Sequence, residues 1–349
     1  MHQEMYMKAL TLYLLTWITN FGVRTGSPIF FPIEGNVYPL GYYTVTIYVG
    51  NPPKSYVLDV DTGSDLTWIR NAWVSRDDPD CESLEKRRRN GDICDYEVEY
   101  GDPPYLTIGC GDSNEDEHSI HQPITQGILG LGKGKLGILN QLRNKGVINR
   151  NVVGHCLSRR DGGYIFFGEI PFFGITWKQI SCINDEHYSL GSADILLDGQ
   201  ATDIRNLCII FDSGSTFTYL NSESYEALFD LVNKTINGTL SVANDDEALP
   251  FCWQDVEPIQ TIAQVARAFL SITLNFTDEN NVVQFEMLPE SYLLVSDLRN
   301  VCLGILNGGE IGLGDVNVIG DISMQDKLVI YDNENHMVGW AASTCKYKR

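Results

Sequence analysis

Two short segments of this chain each place an aspartate at the end of an apolar run, directly before a hydroxyl residue and a glycine. The first is VLDVDTGS at residues 57–64, with its acid at Asp61, and the second is CIIFDSGS at residues 208–215, with its acid at Asp212. A carboxylate at a strand end, held by turn amides and a neighbouring hydroxyl, is a common form of prepared catalytic group. One copy alone is typical of an ordinary turn, but its repetition after 151 positions indicates a duplicated lobe that contributes one acid each time to a shared site.

Two carboxylates in one site can support amide hydrolysis without a covalent intermediate. When they lie about 3 Å apart, they cannot both ionise readily, so one loses its proton early and the other keeps it. The ionised member can activate a water molecule while the protonated member supplies the acid, and the two titrate as a unit.

Each aspartate segment is followed by a second apolar element that ends in glycine, GILGLG at residues 127–132 and VIGD at residues 318–321. Further motifs are GNPP (50–53), NVVGHCL (151–157), VCLGIL (301–306) and IGDISMQD (319–326). This set resembles the motifs of the pepsin-type aspartic proteases, and the sequences of the motifs are most similar to those of the plant nucellin-like branch. The matching stretches run from about Tyr38 to Cys345.

The resemblance implies a mainly β, bilobal fold with two pseudo-twofold-related lobes and a few short helices. Residues 27–180 would form the N-terminal lobe and residues 181–349 the C-terminal lobe, with the junction between Lys178 and His187. The implied activity is that of an aspartic endopeptidase that cleaves peptide or protein substrates at acidic pH. The resemblance implies no metal and no other cofactor, and we expect a monomer.

The resemblance also assigns roles to individual side chains. Asp61 and Asp212 would be catalytic, and Thr62 and Ser213 would link the two loops. The expected substrate-binding and supporting residues are Gly63, Ser64, Trp68, Tyr100, Gly214, Ser215 and Thr216. In this scheme Tyr100 belongs to the flap, the hairpin that folds over the substrate, and Trp68 braces it.

The flap region departs from the family pattern. After Asp102 the chain has Pro103 and Pro104 where relatives have a hairpin tip, and proline cannot pair in a sheet ladder. The distance from Asp61 to Gly130 is 69 positions, whereas the distance from Asp212 to Gly320 is 108 positions. The shortened lobe leaves an alternative open, namely a catalytically impaired pepsin-fold protein that acts as a binding or inhibitor module.

Composition indicates the compartment and excludes some partners. A net charge of -21 and a pI near 4.5 argue against nucleic acid as a partner.

Nine cysteines suggest an oxidising compartment, and residues 1–26, with an apolar core at 9–18, are expected to be a signal peptide. No later segment could cross a membrane, so we expect entry to the secretory pathway and an extracellular (apoplastic) or vacuolar location. Asn-x-Thr acceptors for glycosylation occur at Asn233, Asn237 and Asn275.

Disulfide pairing is inferred from the resemblance and stays open in part. Cys252 and Cys302 are placed like the disulfide of the second lobe in the family. We expect Cys345 to pair with a first-lobe cysteine, with Cys110 preferred, and Cys81 or Cys94 to be left unpaired.

Local patterns predict several elements. Alternating apolar residues predict a strand at 43–49, and residues 137–145 predict a helix that ends at Gly146. A second helix should begin at Asn221 or Ser222, a hairpin turn should lie at 161–163, and strands should cover 328–331 and 338–341.

Two metal-dependent alternatives have weaker support. Asp59 and Asp61 faintly resemble the Asp-x-Asp of magnesium-dependent phosphatases, but that interpretation lacks the expected α/β alternation and does not explain the second aspartate segment. His118 and His121 lie in an acidic segment typical of a loop rather than a metal site.

Overall fold

The computed structural model describes most of the chain from Pro28 to Lys346. The described residues are 28–49, 54–70, 93–95, 106, 108–111, 125–160, 162–171, 173–181, 187–236, 238–278 and 281–346. The predicted signal peptide, the flap candidate with Tyr100, and the pair His118 and His121 lie outside these ranges. So do residues 182–186 of the predicted junction between the lobes, and the predicted domain boundaries therefore stay predictions.

Ten strands and one helix occupy the described residues before residue 181. The strands are β1 (Ile29–Asn36), β2 (Tyr42–Val49), β3 (Lys54–Asp61), β4 (Trp68–Arg70), β5 (Ile93–Asp95), β6 (Gly109–Gly111), β7 (Gly127–Gly130), β8 (Val152–Leu157), β9 (Gly163–Phe167) and β10 (Thr176–Gln179). The helix is α1 (Ile138–Asn144).

The described residues after 187 carry the remaining strands and helices. The strands are β11 (Tyr188–Leu197), β12 (Gln200–Ala201), β13 (Leu207–Phe211), β14 (Thr218–Leu220), β15 (Ser241–Val242), β16 (Cys252–Gln254), β17 (Ile272–Asp278), β18 (Asn281–Met287), β19 (Leu293–Val295), β20 (Val301–Leu303), β21 (Ile305–Asn307), β22 (Val316–Ile319), β23 (Lys327–Asp332) and β24 (Met337–Ala342). The helices are α2 (Ser222–Ile236), α3 (Ile262–Val265) and α4 (Asp321–Met324), with 3-10 turns at Ala266–Ala268, Pro289–Ser291 and Gly308–Ile311.

These strands form two large sheets and one small sheet. A twelve-stranded sheet has the order β10-β24-β23-β8-β9-β1-β2-β3-β7-β4-β6-β5. The second large sheet has the order β18-β17-β11-β13-β22-β14-β21, with β12 beside β11, and the small sheet has the order β15-β16-β20-β19. The prediction of a mainly β, bilobal fold is confirmed.

The first large sheet joins distant parts of the sequence. Strand β8 lies between β9 and β23, so a strand from the first half pairs directly with one from the C-terminal end. All six residues of β8 are buried, which explains why its sequence, VVGHCL, is nearly continuous in apolar residues. The C-terminal hairpin of β23 and β24 is thus part of the same sheet as β3, the strand that ends at Asp61.

The two aspartate loops are built on the same strand pattern. In the first lobe, β7 runs parallel to β3 and antiparallel to β4, with Asp61 opposite Gly130. In the second lobe, β22 runs parallel to β13 and antiparallel to β14, with Phe211 opposite Ile319. Each acid therefore lies where a strand ends, beside a partner strand that ends at or directly before a glycine, Gly130 or Gly320. The repeat seen in the sequence is a repeat of backbone architecture.

The predicted local elements are present. Strand β2 covers the predicted strand, and α1 ends before Gly146, whose φ of 68° is the left-handed value that glycine adopts easily. At the start of α2 the Asn221 side chain accepts a hydrogen bond from the Ser224 amide at 3.0 Å, as expected of an N-cap. Strands β23 and β24 cover the predicted C-terminal strands.

Cys252 and Cys302 are bonded, as predicted. The predicted pairing of Cys345 with a first-lobe cysteine is also confirmed, but the partner is Cys156, so the preference for Cys110 is wrong. The sheet order explains the difference, because Cys156 lies on β8, the fourth strand, while Cys110 lies on β6, the eleventh. With strands about 4.8 Å apart, Cys110 is too distant from the C-terminal tail. Cys208 is a free thiol, and the prediction about Cys81 or Cys94 stays untested.

None of the helices in the described residues is long and apolar enough to span a membrane. The part of the chain that the structure describes also lacks the alternating strands and helices that the phosphatase alternative requires.

Candidate active site

Asp61 is held at the end of β3 by its own turn. Its Oδ1 accepts hydrogen bonds from the amides of Gly63 at 2.7 Å and Ser64 at 3.0 Å, and its Oδ2 accepts one from the Ser64 hydroxyl at 2.5 Å. The residue is only 8% exposed. Burial raises the pKa of Asp61, the nearby charge of Asp212 raises it further, and the hydrogen bonds from Ser64 and Gly63 partly oppose this rise.

Asp212 is held in the same way after β13. Its Oδ1 accepts a hydrogen bond from the Gly214 amide at 2.8 Å, and its Oδ2 accepts one from the Ser215 hydroxyl at 2.9 Å. Asp212 is half-buried, so it is more accessible than Asp61. The serine three residues after each acid therefore contacts the same carboxylate oxygen in both loops.

The two carboxylates face each other across the loops. A Cβ added at Gly63 would lie 2.6 Å from Oδ1 of Asp212, and one added at Gly214 would lie even closer to Oδ1 of Asp61. Each glycine thus packs against the carboxylate of the opposite loop, at a distance that no side chain permits. This reciprocal contact brings the predicted dyad together.

A second set of reciprocal contacts involves the residue that directly precedes each of these glycines. The Thr62 amide donates to the Ser213 hydroxyl at 3.1 Å, and the Ser213 amide donates to the Thr62 hydroxyl at 2.9 Å. The Ser213 hydroxyl donates in turn to the Val60 carbonyl at 2.8 Å. Thr62 and Ser213 are buried, so these bonds join the loops out of contact with water.

Two further acids lie beside the dyad, and the sequence reasoning did not assign them to it. Asp59 precedes Asp61 by two residues on β3 and therefore shares its face, and Asp321 directly follows Gly320 at the end of β22. Burial raises the pKa of Asp59 to about 7, with Asp61 and Asp212 contributing, and burial also raises the pKa of Asp321 well above its usual value. The sequence Asp59-Val60-Asp61 could have indicated that Asp59 lies beside the dyad. The position of Asp321 beside the dyad, in contrast, depends on the fold and could not be predicted from the sequence.

The remaining predicted site residues are placed differently. Trp68 begins β4 and is half-buried, with its backbone paired to Gly109 and Ile128. The Thr216 hydroxyl donates to the Gly41 carbonyl at 2.5 Å, so it connects the second lobe to the turn between β1 and β2. Tyr100 lies outside the described residues, and its contact with Trp68 stays a prediction.

The described residues offer one group of potential metal ligands, Asp246 with Cys252 and Cys302. Both cysteines are joined in a disulfide, so neither can supply a thiolate. This group therefore does not suggest a metal centre.

Two β lobes that each present an Asp-(Ser/Thr)-Gly-Ser loop to a common centre define the class of pepsin-like aspartic proteases. Comparison with known sequences agrees. The xylanase inhibitor N-terminal family model matches residues 43–105 and 101–169, and the xylanase inhibitor C-terminal model matches residues 186–342. An aspartic proteinase of Oryza sativa subsp. japonica is 34% identical, over 93% of this chain and 92% of that protein. The chain belongs to the pepsin-like aspartic protease family, in its plant nucellin-like branch.

More distant relatives and solved structures extend the likeness. Aspartic proteinase 36 of Arabidopsis thaliana is 25% identical, over 88% of this chain and 74% of that protein. The crystal structure of basic 7S globulin from soybean has a TM-score of 0.69 at 15% identity, covering 91% of this chain and 97% of that one. The aspartic proteinase from Irpex lacteus has a TM-score of 0.65 at 18% identity, covering 91% and 98%. These two structures share the fold.

The comparisons also show gaps in this chain. The alignment with the rice protein spans 383 positions, which exceeds the 349 residues of this chain, so at least 34 positions have no counterpart here. The N-terminal family model matches in two segments that overlap at residues 101–105, and the overlap contains Pro103 and Pro104.

Proposed function

We propose that this protein is an aspartic endopeptidase that hydrolyses peptide bonds of protein substrates at acidic pH, with Asp61 and Asp212 as its catalytic pair. The reciprocal packing of Gly63 against Asp212 and of Gly214 against Asp61 carries the proposal. Two loops that serve only as turns have no need to bring two acids this close, since placing like charges together destabilises the fold.

The environments of the two acids divide the catalytic roles. The pair shares one proton; Asp61 is the more buried and burial raises its pKa, so we assign that proton and the role of acid to Asp61, and the role of base to the half-buried Asp212. Asp212 takes a proton from a water molecule, whose oxygen bonds to the substrate carbonyl carbon as the carbonyl oxygen takes the proton of Asp61. When the C–N bond breaks, the leaving nitrogen takes the proton held by Asp212, and a hydroxyl proton of the intermediate returns to Asp61.

The supporting residues hold the two carboxylates in position and leave room for substrate. Ser64 and Ser215 donate their hydroxyls to the carboxylates and so hold them in place during the reaction. Gly214 is exposed and Gly63 half-exposed, so both leave room for an extended substrate backbone. Because the pair needs one proton, its activity should be lost as the pH rises through the raised pKa of Asp61.

An acid-dependent cleavage assay tests the proposal. Purified full-length protein should cleave a reduced and alkylated, unstructured protein at acidic pH, and a statine-type transition-state analogue should block the cleavage. Absence of cleavage at any pH between 3 and 7, together with absence of binding to the analogue, would refute the proposal.

A second candidate function is favoured by the shortened flap region. The missing positions and the division of the N-terminal family match at residues 101–105 fit a pepsin-fold protein that binds a partner with little turnover. The names of the matching family models refer to xylanase inhibitors, and two solved relatives are named globulins rather than proteinases. In this case the site would bind peptides or a protein partner without efficient hydrolysis.

The flap decides between these two functions. A placed flap donor contributes roughly 3 kcal/mol, which corresponds to about a hundredfold in turnover. We expect slow turnover, little further loss in Tyr100→Phe, and about a hundredfold gain when a family-like hairpin is inserted after Asp102. If Tyr100→Phe removes most of the activity of the unaltered protein, the flap is working and the impaired-enzyme candidate is wrong.

We further propose that the protein enters the secretory pathway as a monomer and acts in the apoplast or vacuole. Two disulfides and the apolar N-terminal segment support this location. Asn233 is exposed on α2, which suits glycosylation. Glycosidase treatment of material secreted from plant cells should lower its apparent mass, and Asn233→Gln should reduce that shift. Retention of an uncleaved, unglycosylated chain in the cytosol would contradict this location.

A further inference from the structure

Two buried tyrosines lie on the strands next to the aspartate strands, and the proposed mechanism gives them no part. Tyr43 is on β2, the strand beside β3, and Tyr188 is on β11, the strand beside β13. Tyr43 is 1% exposed and Tyr188 is fully buried, so neither side chain is accessible to a substrate. Any effect of these tyrosines on catalysis must therefore act through the residues that they contact.

The two tyrosines occupy equivalent positions relative to the two acids. In the second lobe Tyr188 is opposite Phe211, the residue that directly precedes the second catalytic acid. In the first lobe the register of β2 against β3 brings Tyr43 level with Val60, the residue that directly precedes the first catalytic acid. The duplication thus extends beyond the aspartate segments to a buried tyrosine on the neighbouring strand.

The Tyr188 hydroxyl crosses from the second lobe to the loop of the first catalytic acid. It donates to the Leu131 carbonyl at 2.8 Å, and Leu131 directly follows the glycine that ends β7. The Leu131 amide donates in turn to the Asp61 carbonyl at 2.8 Å. The next amide, that of Gly132, donates to the Ser64 carbonyl at 2.9 Å. Tyr188 therefore holds the segment to which the first aspartate loop is bonded at both of its ends.

Tyr43 makes the reciprocal connection, to the segment behind the second aspartate loop. Its hydroxyl accepts a hydrogen bond from Nε2 of Gln325 at 2.8 Å and donates to the Ser158 carbonyl at 2.9 Å. Gln325 directly follows α4, and its own amide donates to the Asp321 carbonyl at 3.0 Å. Because Gln325 is only 4% exposed, its bond to Tyr43 is shielded from water.

Helix α4 connects this contact to the second catalytic acid. Its first residue, Asp321, donates its amide to the Ser215 carbonyl at 2.8 Å. The Ser215 side chain donates in turn to the Asp212 carboxylate. One end of this four-residue helix is therefore bonded to the second aspartate loop, while the residue after its other end is bonded to Tyr43.

We propose that Tyr43 and Tyr188 are positioning residues for the catalytic pair, each reaching from the strand beside one acid to the segment behind the other acid. Loss of either hydroxyl should let one aspartate loop move relative to the other, because a buried group of that segment loses its partner. The role in catalysis rests on the proposed peptidase function, whereas the crossed anchoring of the loops does not.

Kinetics of matched variants test the catalytic part. Tyr188→Phe and Tyr43→Phe should each lower kcat roughly tenfold with little change in KM, because the loops shift while the residues that contact substrate remain. The control is Tyr292→Phe, which removes the hydroxyl of another buried tyrosine, bonded to the Leu270 carbonyl ahead of β17. A loss of kcat in either variant no larger than that of the control would overturn the proposal.

A further variant tests the Tyr43 contact from its other side. Gln325→Met keeps the length of the side chain but cannot donate to the Tyr43 hydroxyl. It should lower kcat about as much as Tyr43→Phe does, and the double variant should be little slower than either single variant, since both remove the same hydrogen bond. Losses that multiply in the double variant would overturn the role assigned to Tyr43.

Amide hydrogen exchange in the full-length protein tests the anchoring without any turnover. In Tyr188→Phe the Leu131 amide should exchange roughly tenfold faster, while the Asp321 amide keeps its rate. In Tyr43→Phe the Asp321 amide should be the faster one, and the Leu131 amide should keep its rate. Tyr292→Phe should change neither. This crossed pattern would sustain the anchoring even if no peptidase activity were found. Equal acceleration of both amides in each variant, or no acceleration, would overturn it.

Discussion

The two aspartate loops have the same backbone but different neighbours. Asp59 stands two residues before its catalytic acid, and the matching position in the second lobe is the buried Ile210. After the glycine of the partner strand, the first lobe has the buried Leu131 and the second has Asp321. The duplicated backbone therefore brings the dyad together, while each lobe places one extra acid, with a raised pKa, beside it.

The comparison separates the residues that set the geometry of the pair, which both loops share, from the extra acids beside it, which the loops do not share. The turn amides, the serine hydroxyls and the facing glycines occur in both loops, so they define what the pair needs in order to form. Asp59 and Asp321 occur once each and are uncharged at acidic pH, so the pair forms without a charge from them. Variants at shared positions should abolish function, and variants at the unshared positions should leave most of it.

The largest effect is expected at the facing glycines. Gly63→Ala and Gly214→Ala each place a methyl group within 2.6 Å of the opposite carboxylate, so the loops must move apart. Activity should fall by at least about a thousandfold in both, because a small misplacement of catalytic groups is costly. The rate of peptide cleavage measures this loss. Full activity in one variant and none in the other would show that the two loops are not equivalent in function.

The two disulfides allow a second comparison, between a link within the second lobe and a link that ties the C-terminal tail to β8. The sequence separations are 50 residues for Cys252–Cys302 and 189 for Cys156–Cys345. Chain-entropy arguments predict losses of about 4 and about 5 kcal/mol, respectively, when each pair is replaced by alanine. Urea unfolding measures both, and a larger loss from the shorter link would contradict the entropic explanation.

A smaller effect is expected at the extra acids. Burial raises the pKa of Asp59 to about 7 and that of Asp321 well above its usual value, so both side chains are protonated and uncharged at acidic pH. Asp59→Asn and Asp321→Asn therefore leave the charge near Asp61 unchanged there, and the upper pH limit of activity should move by less than about half a unit. The pH profile of kcat/KM measures this limit. Ile210→Val, at the apolar counterpart of Asp59, is the control; a shift of more than about one unit in Asp59→Asn would show that Asp59 is ionised beside the pair.

Much of this architecture was predictable because it depends on short-range patterns. The two aspartate segments, the helix cap at Asn221 and the glycine after α1 each have a local signature. The partner of Cys345 was not predictable, since it depends on β23 pairing with β8 across most of the sequence. The same sheet brings Tyr331 within hydrogen-bonding distance of His155, and no spacing in the sequence indicates that contact.

Thr216 shows a different limit of sequence reasoning. Its place beside the second motif suggested a contact with substrate, but its hydroxyl donates to the Gly41 carbonyl in the first lobe. Nearby, the Asp297 amide donates to the Tyr38 hydroxyl at 3.2 Å, a second contact between the turn after β1 and the second lobe. A hydroxyl that serves contact between lobes cannot be distinguished by motif from one that serves substrate.

The most direct test of the central claim is the cleavage rate of Asp61→Asn and Asp212→Asn beside the unaltered protein and Asp198→Asn. Asp198 is an exposed acid whose φ of 46° asparagine also tolerates, so its variant controls for the loss of one charge. Both dyad variants should lose acid-dependent cleavage while keeping the thermal unfolding profile of a folded protein, and Asp198→Asn should keep full activity. Unchanged cleavage in either dyad variant would remove the pair from the mechanism.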